Sequence, residues 1–371
     1  MLMASFLTIQ GNHMAPVVRA IDLGFGNTKY VTASSMGKVE CRHFPSQAFY
    51  TLNAKGIDAL GGKRNTVCVP VEGVFYEVGP DVELAAERFR ARPLHDGYTE
   101  TAEYRALMAG ALHFMNVDTI DLLVLGLPVA QFMTKRSSLE KAMTGTFMTG
   151  RKTRVLVKRV LVVAQPQGAL FDYATQHANH SAVTQGKSLV VDAGSRTFDW
   201  LTIKGMKVVS NMSHSVPRGV SDMLLAIARK ISAEIGEEFD DLEAIDAALR
   251  FGKTLRIYEK EYDLTRYDPV IQVIAKQAVT SLVSKMDKTY NVENVVLVGG
   301  GAHLFRKAIK RYFSKHTIHE VSDPLHANVR GFQLLGEQYV RERPELFLGG
   351  EPVGSRHLAS QASTALASTE L

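Results

Sequence analysis

Cysteine is scarce in this 371-residue chain: only Cys41 and Cys68 occur, too few for a disulfide framework or a zinc cluster. Both are expected as reduced thiols, which fits a cytoplasmic protein. Long apolar runs are missing too; none approaches the roughly 18 residues of a membrane span, so no membrane partner is expected. Residues 1–16 lack a basic start followed by an apolar core, which argues against a secretory signal and for a flexible lead. The 12 histidines show no paired ligand spacing on a helix and therefore point to no structural metal site. Net charge is only +5, and no basic run with interleaved aromatics stands out, so direct nucleic-acid binding is not indicated. What remains is the composition of a soluble globular protein, 46% hydrophobic and 22% charged, long enough for two domains.

The chain is organised around Arg19-Ala-Ile-Asp22-Leu-Gly24-Phe25-Gly26-Asn27-Thr28-Lys29-Tyr-Val31. This reads as a buried strand, a glycine turn and a second strand. Gly24 and Gly26 leave no Cβ to block a ligand, and successive N–H groups in such a turn form an anion-binding nest. Asp22 ends an apolar strand, where a carboxylate needs a partner, such as a hydrated metal ion. A second copy lies 170 residues downstream, from Asp22 to Asp192, in Ser188-Leu-Val-Val-Asp192-Ala-Gly194-Ser195-Arg196-Thr197-Phe-Asp199-Trp200. Self-similarity at that spacing implies two related halves. Two opposed hairpins of this kind can grip one polyphosphate and its Mg²⁺.

Three further segments accompany the hairpins. Val162 to Tyr173 turns from strand to helix through Gln165-Pro166-Gln167. Val295 to Leu304 runs from a strand through Gly299-Gly300-Gly301-Ala302 into a helix, and three glycines admit a flat ligand such as an adenine or simply pack tightly. Asp323 to Phe332 opens a last helix reaching Arg341. Between these landmarks, helices are expected over 101–114, 137–145, 223–235, 242–249 and 269–288, and an apolar parallel strand over 120–128.

The order of hairpin, Gln-bearing corner, hairpin, triple-glycine turn and Asn328-Val-Arg-Gly-Phe332 helix resembles the actin, sugar kinase and seventy-kilodalton heat-shock chaperone superfamily. The Ile21-Asp-Leu-Gly-Phe-Gly-Asn-Thr-Lys29 start looks most like plasmid segregation proteins of the ParM/StbA type, in particular the variant of PRTRC plasmid clusters. The resemblance implies an α/β actin-like two-domain ATPase fold, with duplicated ribonuclease-H-like domains around a nucleotide cleft. It places the first domain at 17–180 with 321–343 returning to it and the second at 181–320; the Gly-, Ser-, Ala- and Thr-rich composition from Pro344 on reads as a disordered tail at 344–371. The resemblance also implies ATP or ADP with Mg²⁺, the metal beside Asp22 and Asp192. Gly24, Phe25, Gly26, Asn27, Thr28 and Lys29 would cradle phosphate from one side and Gly194, Ser195, Arg196 and Thr197 from the other. Gly299, Gly300, Gly301 and Ala302 would lie on adenosine. Gln165 is the expected water-positioning residue, with Gln167 as second choice; Gln is not a strong base, so turnover should be slow.

The same resemblance implies head-to-tail self-assembly into filaments that move plasmid DNA through a DNA-binding adaptor protein. Two other readings stay open: a small-molecule kinase of the same fold, and an ATP-dependent switch that does not polymerise. His303, Arg218-Gly219, Gly252-Lys253 and the basic stretch Lys307, Lys310 and Arg311 read more simply as structural or solvated positions.

Overall fold

The computed structural model describes residues 15–35, 37–51, 64–85, 97–177, 185–205, 207–286 and 291–347. The first half starts with the hairpin β1 (Val18–Leu23) and β2 (Asn27–Ser35), extended by β3 (Lys38–Pro45). A separate small sheet holds β4 (Phe49–Thr51), β5 (Val67–Val71) and β6 (Val74–Val78). Then come α1 (Ala102–Met115), β7 (Thr119–Ile120), β8 (Leu122–Leu127) and α2 (Val129–Ala142). After them follow β9 (Gly145–Met148), β10 (Arg154–Val157), β11 (Val160–Ala164) and α3 (Gln165–Gln176). The main sheet has the order β11-β8-β1-β2-β3.

The second half repeats the plan with β12 (Lys187–Ala193), β13 (Phe198–Lys204), β14 (Lys207–Val208) and β15 (His214–Val216). Helices α4 (Val220–Ile235) and α5 (Leu242–Phe251), hairpin β16 (Leu255–Ile257) and β17 (Lys260–Tyr262), and α6 (Asp268–Ser284) come next. The half closes with β18 (Asn294–Val298), α7 (Ala302–Tyr312) and β19 (Ile318–Glu320), and α8 (Ala327–Glu342) follows. Its sheet order is β14-β13-β12-β18-β19. In each half the leading strand pairs antiparallel with the next strand and parallel with a later one, β8 or β18. The duplication read from two glycine turns is therefore a duplication of whole sheets.

Local chemistry accounts for most boundaries. Thr101 accepts a hydrogen bond from Tyr104 N–H to start α1, and Asn116 ends it in the left-handed conformation. Gly236 and Gly252 end α4 and α5 the same way, so Gly252 is a helix stop. β8 is buried along its whole length, as an internal parallel strand must be. Helix α2 begins at Val129, eight residues before the expected Ser137, and α4 at Val220 instead of Met223. Pro128 has no capping side chain; the acceptor for Val129 N–H is Asp199 Oδ1 from the other half, at 3.2 Å, which no local pattern reveals. Helix α6 ends at Ser284, short of Lys288. Residues 52–63, 86–96 and 178–184 lie outside the described residues, as does most of the expected tail; Pro344–Leu346 form a 3-10 turn, and Phe347 packs under Arg159 and against Tyr339.

Two helices cross between the sheets. Helix α3 follows the first sheet, yet Ala169, Leu170, Tyr173 and Ala174 pack on Val190, Leu201, Val296 and Val298 of the second. Helix α8 follows the second sheet, yet Val329 and Phe332 pack on Val18, Ala20, Val31, Leu122 and Val124 of the first. They meet at two glycines. A Cβ on Gly331 would stand 1.7 Å from the carbonyl oxygen of Gly168, and one on Gly168 would stand 2.5 Å from that of Asn328. Beside the crossing, Arg330 Nε and Nη2 donate to the two carboxylate oxygens of buried Asp172, at 3.1 and 2.8 Å. Such a two-pronged pair fixes the rotation of one helix against the other.

Replacing glycine by alanine inside a helix ordinarily stabilises by about 1 kcal/mol. Gly331→Ala should do the reverse, lowering stability by about 2–3 kcal/mol through overpacking. Urea unfolding of the two proteins measures the sign; a more stable variant would contradict the crossing.

Candidate functional site

A cleft of about 1220 Å³ opens between the halves, and both hairpin turns line it. On the first side, Gly24 N–H donates to Asn27 carbonyl oxygen at 3.2 Å, closing the turn. Ser46, beyond β3, braces it from behind: its hydroxyl donates to Gly24 carbonyl at 2.6 Å, and its N–H donates to Gly26 carbonyl at 3.0 Å. Gly24, Phe25, Gly26, Asn27 and Lys29 line the cleft. Thr28 does not; its side chain is fully buried and its hydroxyl shares a 2.9 Å hydrogen bond with Ser46. The second turn is built alike, with Gly194 N–H donating to Thr197 carbonyl at 3.0 Å. It rests on the start of α4: Val220 N–H donates to Gly194 carbonyl and Ser221 N–H to Ser195 carbonyl, at 3.1 and 2.8 Å. A Cβ on Gly219 would collide with that backbone at 2.3 Å, which makes Arg218-Gly219 part of the turn's support.

Asp22 does have partners, and both are protein groups. Lys29, its cross-strand neighbour, donates through Nζ to Oδ2 at 3.0 Å, and Gln165 donates through Nε2 to Oδ1 at 2.7 Å. Gln165 is the first residue of α3 and lines the cleft. Gln167 is occupied elsewhere: its Oε1 accepts from Ala164 N–H at 2.9 Å and caps the helix. The geometry therefore separates the two glutamines at the corner.

Asp192 faces Asp22 from the other half. Asn328 Nδ2, at the start of α8, donates to its Oδ2 at 2.6 Å. Asn328 Oδ1 is buried with no hydrogen-bond partner. Burial, and then the charge of its cross-strand neighbour Asp199, push the Asp192 carboxyl up from 3.8 to about 7; Asp22 adds to this, while the Asn328 bond and Lys29 oppose it. Burial also raises the Asp199 carboxyl, against hydrogen bonds from Thr197, Ser215 and Val129 N–H. Asp199 sits at the N-terminus of α2, where a carboxylate is favoured by the helix dipole.

The triple-glycine turn divides in role. A Cβ on Gly299 would lie 2.4 Å from Asp192 Oδ1, and one on Gly301 would lie 2.3 Å from Val220, so these two let the β18–α7 turn approach β12 and the start of α4. Gly299 also needs glycine for its φ of +90°. Gly300 has open space toward the cleft, with Leu325 Cδ1 the nearest atom at 3.4 Å. Ala302 is buried behind the turn and does not line the cleft.

Comparison with known proteins accords with this architecture. Residues 20–168 match the family model described as the N-terminal domain of actin-like proteins, and residues 190–311 match that of the archaeal actin homologue MreB-like C-terminal domain. Together the two segments span well over half of the chain. The chain belongs to the actin-like superfamily, and its fold is the actin-like two-domain fold. An archaeal actin homolog of Thermoplasma acidophilum is 26% identical over 306 residues, covering 78% of this chain and 88% of the relative. An archaeal actin homolog solved in complex with ADP superposes with a TM-score of 0.69 at 22% identity, covering 87% of this chain and 99% of the other. A subunit of a 15-stranded ParM filament from Clostridium botulinum gives 0.66 at 17% identity, covering 88% of this chain and all of the other.

Among the described residues no three His, Cys, Asp or Glu side chains are placed to hold a metal ion by themselves. The cleft nonetheless suits a hydrated cation carried by phosphate. It gathers Asp22, Asp192 and Asp199, each almost fully buried, beside the ion-paired Lys29, and adds an amide oxygen on Asn328 with no hydrogen-bond partner. An excess of buried negative charge of this kind calls for a counter-ion.

A carboxyl whose pKa is raised on folding lends stability below its unfolded value and withdraws it as pH climbs through the folded value. Asp192 should therefore cost the protein stability between pH 3.8 and about 7. Asp192→Asn removes that loss, so its melting temperature should gain on the unmutated protein by several degrees as pH rises, while the two stay close in acid. Equal gaps at both ends of the range would contradict the burial of an ionising carboxylate there.

Proposed function

We propose that this chain is a slow Mg²⁺-dependent ATPase whose nucleotide state governs self-assembly into filaments. The observation that carries this reading is the pair of braced glycine turns facing each other across one cleft, with Gln165 bonded to Asp22 on one side and Asn328 to Asp192 on the other. The ADP held by an archaeal actin homolog and the filament formed by a ParM support it by likeness of fold. In this reading, backbone N–H groups of Phe25 to Asn27 and of Ser195 to Thr197 grip the phosphates from either side, while those of Gly24 and Gly194 close the turns. Asp22 and Asp192 hold the hydrated Mg²⁺, whose charge, when bound, offsets that of the polyphosphate. Gly300 and the α4–α5 face of the cleft take the nucleoside.

Gln165 has its Nε2 fixed on Asp22, which turns Oε1 into the end of the amide that accepts from a water. An amide orients a nucleophile without taking its proton, so turnover is slow. Lys29 is paired with Asp22 and leaves phosphate contact to the backbone. Thr28 serves the turn through Ser46. Head-to-tail contacts that do not close give filaments, and plasmid positioning through a DNA-binding adaptor is the role we assign to them, by likeness to plasmid segregation proteins.

Sedimentation and light scattering with Mg-ATP, Mg-ADP or no nucleotide test the reading. ATP-dependent pelleting that Asp192→Ala abolishes is expected. Nucleotide binding without any assembly would leave a switch that does not polymerise. In single-turnover assays, Gln165→Ala should slow hydrolysis about 100-fold and change nucleotide affinity by less than about threefold.

A further inference from the structure

The two turns touch each other through side chains. The guanidinium of Arg196, from the second turn, lies over the ring of Phe25, from the first, with Cζ 4.9 Å from the ring centre. Phe25 is also packed within its own half: it stacks on Tyr98 at 4.7 Å between ring centres, and Tyr98 meets Tyr104 of α1 edge to face at 5.3 Å. Arg196 is backed just as firmly, since its backbone carbonyl carbon lies where Gly219 admits no side chain. Both residues line the cleft between the turns. We infer that Phe25 and Arg196 form a latch across the cleft that limits how fast bound nucleotide leaves, Phe25 acting as a positioning residue for Arg196.

Each residue is fixed to its own half by packing, so separating the turns must break the stack between them. A ligand gripped by both turns leaves only when they separate. A guanidinium stacks by its face, and its N–H groups lie in its plane, so a ring beneath it sets the orientation of its donors toward an anion without competing for them. Leucine in place of Phe25 would keep the apolar contact with the core and lose the cation–π attraction. Tyrosine would keep both.

The inference depends on the nucleotide reading of the cleft, and one experiment separates the two. Fluorescent ATP and ADP analogues are bound to the full chain, chased with unlabelled nucleotide, and followed by stopped flow for the unmutated protein, Phe25→Leu, Arg196→Gln, the double variant and Phe25→Tyr. The latch predicts that Phe25→Leu speeds release of both analogues by about fivefold to tenfold. The double variant should release no faster than the faster single one, and Phe25→Tyr should restore the slow rate. Release from Phe25→Leu within about twofold of the unmutated rate, or effects of the two substitutions that multiply, would overturn the latch, since Arg196 would then act without Phe25. Failure of the unmutated protein to bind either analogue would overturn the nucleotide reading, and the latch with it.

Discussion

Backbone-to-backbone contact between Gly168 and Gly331 is the constraint on which the rest depends. Two helices can cross this closely only where neither carries a side chain. Because the crossing is tight, α3 and α8 lie between the sheets, and each delivers the residue at its N-terminus into the cleft. Helix α3 brings Gln165 to Asp22, and α8 brings Asn328 to Asp192. Both sides of the site are thus anchored to one crossing. A larger residue at either glycine would move both amides away from their carboxylates together.

The electrostatics follow from the same arrangement. Duplicated hairpins put an aspartate at the end of each leading strand, and the crossing brings those strand ends face to face. Two carboxylates, and Asp199 beside them, are then buried together, at a cost that Lys29 and Asn328 only partly meet. Buried like charges are retained where a counter-ion is part of the working molecule. A second chain of polar contacts runs behind the cleft: His43 of β3 is 3.0 Å from His326, which is 2.6 Å from Asp323, and Asp323 bonds Arg330 beside the crossing. It ties the edge of the first sheet to the segment that leads into α8.

Much of this could be read from the residues. The two hairpins, the glutamine corner and the triple-glycine turn are local patterns of strand, glycine and helix, and local patterns survive in a sequence. The structure pairs Asp22 with Lys29 and Asp192 with Asp199 across their hairpins, as alternation along two strands requires. The features that were not legible are contacts between distant segments. Asp199 as the cap of α2, Ser46 as the brace of the first turn, Gly168 against Gly331, and Phe25 under Arg196 each join residues that no periodicity links. Thr28 and Ala302 carry suitable chemistry at suitable spacing, and the structure turns both away from the cleft. The early start of α2 was hidden for the same reason, since its first N–H is satisfied from the other half of the chain.

The proposed nucleotide site, gripped from both halves, predicts that the halves pivot on the crossing to close on nucleotide. The most direct measurement is the distance between spin labels on cysteines introduced at Val74 and Glu259, exposed positions at the hairpins of the first and second halves, with Cys41 and Cys68 replaced by serine. A shorter and narrower distance distribution with Mg-ATP than without nucleotide is the predicted result. An unchanged distribution at saturating Mg-ATP would contradict it.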